Sequence, residues 1–340
     1  MARIVEQRDP SALPPGTAVC LGAFDGMHLG HQALLQRAKT LADHVGVVTF
    51  DPHPQQVLAP HRAPTLLQTP TQRRRVCAAL GVEHLVLLPF DRDVAQMSAE
   101  TFVQRMLIEG LRPSAVVVGE DFRFGRGREG DGLRLAELLA PAGITVAQVA
   151  PVAVPEVAWV DGADPGHKLG ATAVRHAVRA GQVERAGAML GRWHSAAGTV
   201  VHGAHRGRTI GVPTANIQTE GGLMPPAGVY AGVLAVWGPA GPLQGKVWGA
   251  AANLGRNPTF QPQHPDEEIP LSLEAHVIDE RLGEQLYGLE VELSFVARLR
   301  DEQRFDGPDA LLAQLRRDVA AARERIDATA LARVITPWLP

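Results

Sequence analysis

Through the first half of the chain, short apolar runs alternate with longer stretches in which apolar residues recur every three or four positions. "TAVCLGAF", "VGVVTF", "EHLVLLPF", "SAVVVG" and "TVAQVA" are nearly continuous apolar runs bounded by turn residues, the pattern of strands buried on both faces. Between them, "HQALLQRAKTLADH" places Leu34, Leu35, Ala38 and Leu41 on one helical face. "TPTQRRRVCAALG" predicts a helix capped by Thr69, with Pro70 in its first turn and Gly81 as its stop. "SAETFVQRMLIEGL", starting at Ser98, and "DGLRLAELLAPAG" predict two more. Strands alternating with helices predict an α/β fold with a doubly wound parallel sheet.

Beyond about Arg185 the period changes from helical to alternating. In "LEVELSFVARLR", Leu289, Val291, Leu293 and Phe295 share one face, and Glu290, Glu292 and Ser294 the other. "GVYAGVLAVW" and "LSLEAHVID" are strand-like too, with Gly and Pro between, so an antiparallel sheet or small barrel is expected. From Pro308 an amphipathic helix carries Leu311, Leu312, Leu315 and Val319. "EVAWVDGADPGHKLGA" reads as a loop, and two domains, 1–185 and 186–340, are expected.

Composition narrows the partners. A net charge of −3 over 340 residues argues against a nucleic-acid partner. Cys20 and Cys77 lie in apolar surroundings without ligand-like spacing, so they read as buried thiols of a cytoplasmic protein. No apolar run reaches membrane-spanning length, and no membrane partner is expected. Oligomeric state, a homo-oligomer included, is left open.

The chemistry concentrates in "FDGMHLGHQALL", where His28 and His31 stand three apart at the mouth of a helix. The pair could hold a metal, cap the helix, or grip an anion. Zinc-binding proteases space two histidines four apart around a glutamate, whereas Leu29 and Gly30 intervene here. A helix N-terminus beyond a parallel strand offers unpaired N–H groups and partial positive charge, which suit phosphate. "TFDPHP" and "GEDFRFGRGREGD" fall on the same sheet edge, the latter with Arg123, Arg126 and Arg128. "GRGREG" spells a dinucleotide fingerprint. It comes after "EDFRF" late in the sheet, however, where the fingerprint belongs directly after a first strand.

"LGAFDGMHLGHQALL", "TFDPHP" and "GEDFRFGRGREGD" resemble the adenylyltransferase module of the bacterial bifunctional riboflavin kinase/FAD synthetases. "GTVVHGAHRGRTIGVPTANI", "MPPAGVYAG", "AANLGRNPTF" and "LEAHVIDERLGEQLYGLEVELSF" resemble the riboflavin kinase module, in order along the chain. The resemblance implies a nucleotidyltransferase sheet followed by a kinase barrel with a C-terminal helix. It implies conversion of riboflavin to FMN and of FMN to FAD, with ATP as substrate and Mg2+ as cofactor. His28 and His31 would act on the ATP phosphates, with Gly22, Phe24, Asp25, Gly30, His53, Asp121, Phe122, Arg128, Thr172 and Arg175 around the nucleotide and flavin.

In the kinase module Glu274 would be the general base, and Thr214 and Asn216 the magnesium ligands. By period alone, Glu274 could equally be a solvent-facing glutamate, sharing a face with His276 and opposite Leu273, Ala275 and Val277. The glycines of "HGAHRGRTIG", Gly203 and Gly211 among them, would form with Arg206 and Arg208 a flap over the nucleotide phosphates; Pro213 would be a binding residue, and Asn253, Arg256 and Tyr287 fall in matching binding segments. Where the family carries Ser-Ser-Thr-x-Ile-Arg, this chain has Gly170-Ala171-Thr172-Ala173-Val174-Arg175, with Lys168 as the nearest substitute donor. Glu280 and Val212 each replace a common phenylalanine. Three alternatives stay open: a working kinase with a weakened adenylyltransferase, a non-catalytic flavin-binding protein, and a dinucleotide-dependent reductase.

Overall fold

The computed structural model describes residues 4–156, 168–203, 212–237, 241–256, 271–280, 282–326 and 331. By their contacts they divide into two units. One holds Met1–Leu66 and Pro70–Val154; the other holds Thr172 onward together with Leu67–Thr69.

The first unit is built on six parallel strands, β1 (Val5–Gln7), β2 (Thr17–Leu21), β3 (His44–Asp51), β4 (His84–Pro89), β5 (Ala115–Gly119) and β6 (Thr145–Val149). They lie in the order β1-β4-β3-β2-β5-β6. The apolar runs account for β2 to β6; β1 was not expected. It is three residues long and mostly exposed, at the sheet edge beside β4, too short to show a period. Helices α1 (Leu29–Lys39), α2 (Pro54–Leu58), α3 (Pro70–Ala79), α4 (Arg92–Gln96), α5 (Ala99–Phe102) and α6 (Gly132–Leu139) connect the strands. The helix expected from Ser98 begins as α5, with Ser98 Oγ accepting from Thr101 N–H at 3.2 Å. It then widens into π-helical turns over Val103–Leu111, burying Val103, Leu107 and Leu111 at four-residue intervals. Val19, Val48, Val86 and Val116 pack with Leu107, Leu135 and Leu139 in this unit's core. Cys20 and Cys77 are both buried, and burial pushes the Cys20 thiol far up from its ordinary value.

The second unit is a closed antiparallel barrel, β10-β11-β8-β7-β12-β9. Its strands are β7 (His194–Val201), β8 (Ala215–Thr219), β9 (Gly228–Val236), β10 (Val247–Arg256), β11 (Leu271–Val277) and β12 (Glu290–Arg300). Helices α7 (Ala171–Arg179) and α8 (Val183–Leu190) precede it, and α9 (Pro308–Arg325) closes it. The division expected at residue 185 thus differs from the contacts, which group nearly all of α7, and α8, with the barrel. The reason is packing: α8 lies on β7 and β12.

Inward residues Leu273, Ala275, Val277, Val291, Leu293 and Phe295 fill the barrel. The polar face expected on β12 is not solvated throughout. Glu292 and Ser294 are buried, and Ser195 Oγ donates to Glu292 Oε1 at 2.5 Å.

His194, at the start of β7, is buried with Nε2 donating to the Leu223 carbonyl at 2.7 Å. Burial pulls its pKa from 6.5 down to about 4. The unfolded chain therefore binds this proton between those two values and the folded chain does not, so stability falls as pH drops through that window. The loss from this group should be about 2 kcal/mol by pH 5. In denaturant titrations at pH 7 and pH 5, His194→Gln should be less stable than wild type at pH 7 but show a flatter pH dependence. An unchanged dependence would remove His194 as its source.

Candidate active sites

In the first unit, the segments singled out in the sequence leave the carboxyl ends of three adjacent strands, β3, β2 and β5. The chain leaves β2 toward β3 on one side and later returns to β5 on the other. The strand order therefore reverses beside β2, the place where open α/β sheets bind ligands.

Beyond β2, Phe24 (φ 47°), Gly26 (φ 82°) and Met27 (φ 42°) take left-handed backbone conformations, turning the chain sharply into α1. Phe24, Asp25, Met27 and His28 are buried. His28 is the N-cap of α1: its Nδ1 accepts from His31 N–H at 3.4 Å. Capping and anion binding are therefore compatible, because an accepting Nδ1 assigns the neutral ring's proton to Nε2, a donor. The two imidazoles stack with centroids 3.7 Å apart, and the His31 ring lies 4.9 Å from that of Phe24. The close approach requires Gly30, where a Cβ would sit 3.1 Å from the His28 ring. Gly22 has the same relation to Phe24, at 3.2 Å.

His53 caps α2, accepting from Gln55 N–H at 3.2 Å while its own N–H donates to Gln56 at 2.9 Å. After β5, Phe122 stacks on Phe124, and Phe124 pairs with Gly130 across a tight loop that leaves Arg128 exposed at φ 64°. This "GRGREG" loop carries a short 3-10 turn in place of the helix that a dinucleotide fingerprint would open. Asp121 forms an ion pair with Lys168, which holds the Asp121 carboxyl below its ordinary pKa. Lys168 thus reaches Asp121 at the same sheet edge. Thr172, exposed, and Arg175, buried, lie on α7. Among the described residues, no group of three or more His, Cys, Asp or Glu could hold a metal ion.

In the barrel, register aligns Asn216 on β8, Glu274 on β11 and Asn253 on β10 in one cross-strand row. All three point away from the core formed by Leu273 and Ala275. Glu274 is half-buried, and Thr214 Oγ1 donates to its Oε2 at 3.2 Å. Pro213 sits beside it, its carbonyl accepting from His276 Nδ1 at 2.8 Å. The Asn216 side chain fills the space a Cβ at Gly203 would need, so that glycine is required by a close approach. A cleft of about 420 Å³, open to solvent, is lined by Pro213, Thr214, Glu280, Leu286 and Tyr287 among others. Tyr287 stacks on His202 with centroids 3.9 Å apart. Arg256 ends β10. Arg206, Arg208 and Gly211 lie outside the described residues.

Donors at a sheet's switch point in one unit, and a carboxylate beside hard oxygen atoms in the other, are the parts that group transfer from a nucleoside triphosphate needs. Comparisons with known proteins make that class specific. A family model for FAD synthetase matches residues 11–158, and one for riboflavin kinase matches residues 190–326. The bifunctional riboflavin kinase/FMN adenylyltransferase of Escherichia coli K12 is 35% identical over 315 residues, which cover 91% of this chain and 92% of that one. The Bacillus subtilis protein of the same name is 32% identical, covering 89% and 90%. A crystal structure described as a macrolide-efflux protein from Streptococcus pneumoniae matches with a TM-score of 0.78 at 30% identity, covering 94% and 98%. No described helix of the present chain is long and apolar enough to cross a membrane. The chain belongs to the bifunctional riboflavin kinase/FMN adenylyltransferase family.

Proposed function

We propose that the chain phosphorylates riboflavin to FMN and then adenylylates FMN to FAD, using one ATP in each step. The observation that carries this reading is the half-buried Glu274, set between Asn216 and Asn253 and oriented by Thr214. A flavin-binding protein without catalysis has no use for a base so placed.

In the kinase step, Glu274 accepts the proton of the terminal ribityl hydroxyl as its oxygen attacks the γ-phosphorus and ADP leaves. The Thr214 hydroxyl and the Asn216 carbonyl are hard oxygen donors next to that carboxylate, a set that fits magnesium. Bound there, the ion supplies charge neutralisation at the ATP phosphates. In the adenylyl step, an FMN phosphate oxygen attacks the α-phosphorus of ATP and the bond to pyrophosphate breaks. His28 and His31 donate to the phosphates, where charge builds on the leaving group.

Incubation of the protein with riboflavin, ATP and magnesium, followed by chromatography, should resolve both FMN and FAD; absence of both products would refute this reading. Gly170 and Ala171 favour a second form of it, in which the adenylyl step is the slower. Two hydroxyls able to bond phosphate are missing, each worth about 1.5–3 kcal/mol when bonded to a charged group. A Cβ at Gly170 meets no atom within 4 Å, so serine fits. Gly170→Ser with Ala171→Ser should raise the FMN-to-FAD rate about tenfold or more without changing riboflavin phosphorylation. No gain, with wild type already converting FMN as fast as it forms, would show that the loop is compensated elsewhere.

A further inference from the structure

Glu274 divides its row into two sides. On the β8 side stand Asn216 and, just ahead of that strand, Thr214, the oxygen donors suited to the metal and the phosphates. On the β10 side stand Asn253 and, two residues further, Gly255, which pairs with Ser272. The acceptor alcohol must approach Glu274 from the side opposite the phosphates for an in-line attack. It therefore runs along the β10 side.

A second carboxylate occupies that side. A Cβ at Gly255 would collide with Glu302 Oε1 and lie 3.2 Å from Asn253 Nδ2, so Glu302 is folded down over the strand. The chain around it is built to place it. Arg300 binds the buried Asp318 of α9 through two hydrogen bonds, of 2.9 and 2.6 Å. Arg300 Nη1 also donates to the Asp301 carbonyl at 2.8 Å, and Arg298 pairs with the Asp301 carboxylate at 2.8 Å. None of these bonds uses the Glu302 carboxylate. Glu302 is exposed, so its carboxylate is open to a ligand while it lies over a glycine beside Asn253.

We propose that Glu302 is a specificity-determining residue of the kinase site, accepting hydrogen bonds from the inner hydroxyls of the ribityl chain while Glu274 takes the terminal one. The proposal rests on the kinase reading above. Same-face neighbours on a strand lie about 7 Å apart, so Glu302 over Gly255 is a few carbons' length from Glu274. The ribityl chain bears a hydroxyl on each of those carbons. An ionised carboxylate only accepts, and a polyol supplies donors. A flavin lacking an inner hydroxyl would leave this acceptor desolvated and unpaired, which is how such sites reject analogues.

The test is steady-state kinetics of the full chain with riboflavin and with an analogue lacking one inner ribityl hydroxyl. Glu302→Gln should raise KM for riboflavin about tenfold, leave KM for ATP unchanged, and shrink the preference for riboflavin over the analogue. Gly255→Ala should act in the same direction by displacing the carboxylate, and should add little in the Glu302→Gln background. Conversion of FMN to FAD by the same preparations reports that the protein is folded. A riboflavin KM within twofold of wild type with the preference intact, or a loss confined to kcat, would overturn the proposal alone. Failure of the wild type to form FMN would overturn the kinase reading and this proposal with it.

Discussion

Glu274→Gln should lower riboflavin phosphorylation by about 10²- to 10⁴-fold, the usual contribution of a positioned general base. Glutamine keeps the size of the side chain and an oxygen able to accept from Thr214, the bond that measures 3.2 Å in the wild-type protein. The cross-strand row with Asn216 and Asn253 is a matter of register and is unaffected. What disappears is the group that takes the proton. FMN supplied directly should still become FAD, which makes the variant its own control for folding. A phosphorylation rate near wild type would return Glu274 to the role of an ordinary half-buried surface residue.

His31→Ala should do the reverse, slowing FAD formation from FMN by about 10²- to 10³-fold, or about 2.7–4 kcal/mol for one donor at a developing charge. Riboflavin phosphorylation should continue at its usual rate. The ring also stacks on His28 and lies tilted against Phe24, so alanine removes packing as well as a donor. His31→Asn keeps a polar donor of smaller reach and separates the two effects. It should recover part of the rate if donation matters and none if only stacking does. FAD formation within a few-fold of wild type in His31→Ala would dismiss the phosphate contact altogether.

How much of this was legible in the sequence depended on the kind of signal each element leaves. Strands buried on both faces spell themselves out as apolar runs, and β2 to β5 are where "TAVCLGAF" to "SAVVVG" put them. Once those strands are parallel, their following loops must share an edge, so the placing of the segments that carry His28, His53 and Asp121 at the carboxyl edge of the sheet was also legible. The placement of Glu274 opposite Leu273 and Ala275 follows from strict alternation. β1 was not legible because three residues carry no period. Burial of Glu292 was hidden because its partner Ser195 lies on β7, far away along the chain. Glu302 left no trace in its own segment: its position depends on Gly255, on β10, two strands from the end of β12, and on Arg300 reaching Asp318. The pairing of Lys168 with Asp121 likewise needed the fold, because the two lie far apart along the chain.

The outward setting of the row proposed for catalysis on a closed barrel has a practical consequence for protein engineering. Residues that hold the barrel together alternate along β11 with outward residues, among them Glu274, the proposed base. Volume-conserving changes at Leu273, Ala275, Leu293 or Val291 therefore alter the interior without replacing any group proposed to meet substrate. Libraries confined to inward positions can be selected for heat resistance alone, with turnover tested only afterward. The glycines on the outer surface are the exception. Gly203 and Gly255 face Asn216 and Glu302, so replacing them to stiffen the backbone would trade activity for rigidity.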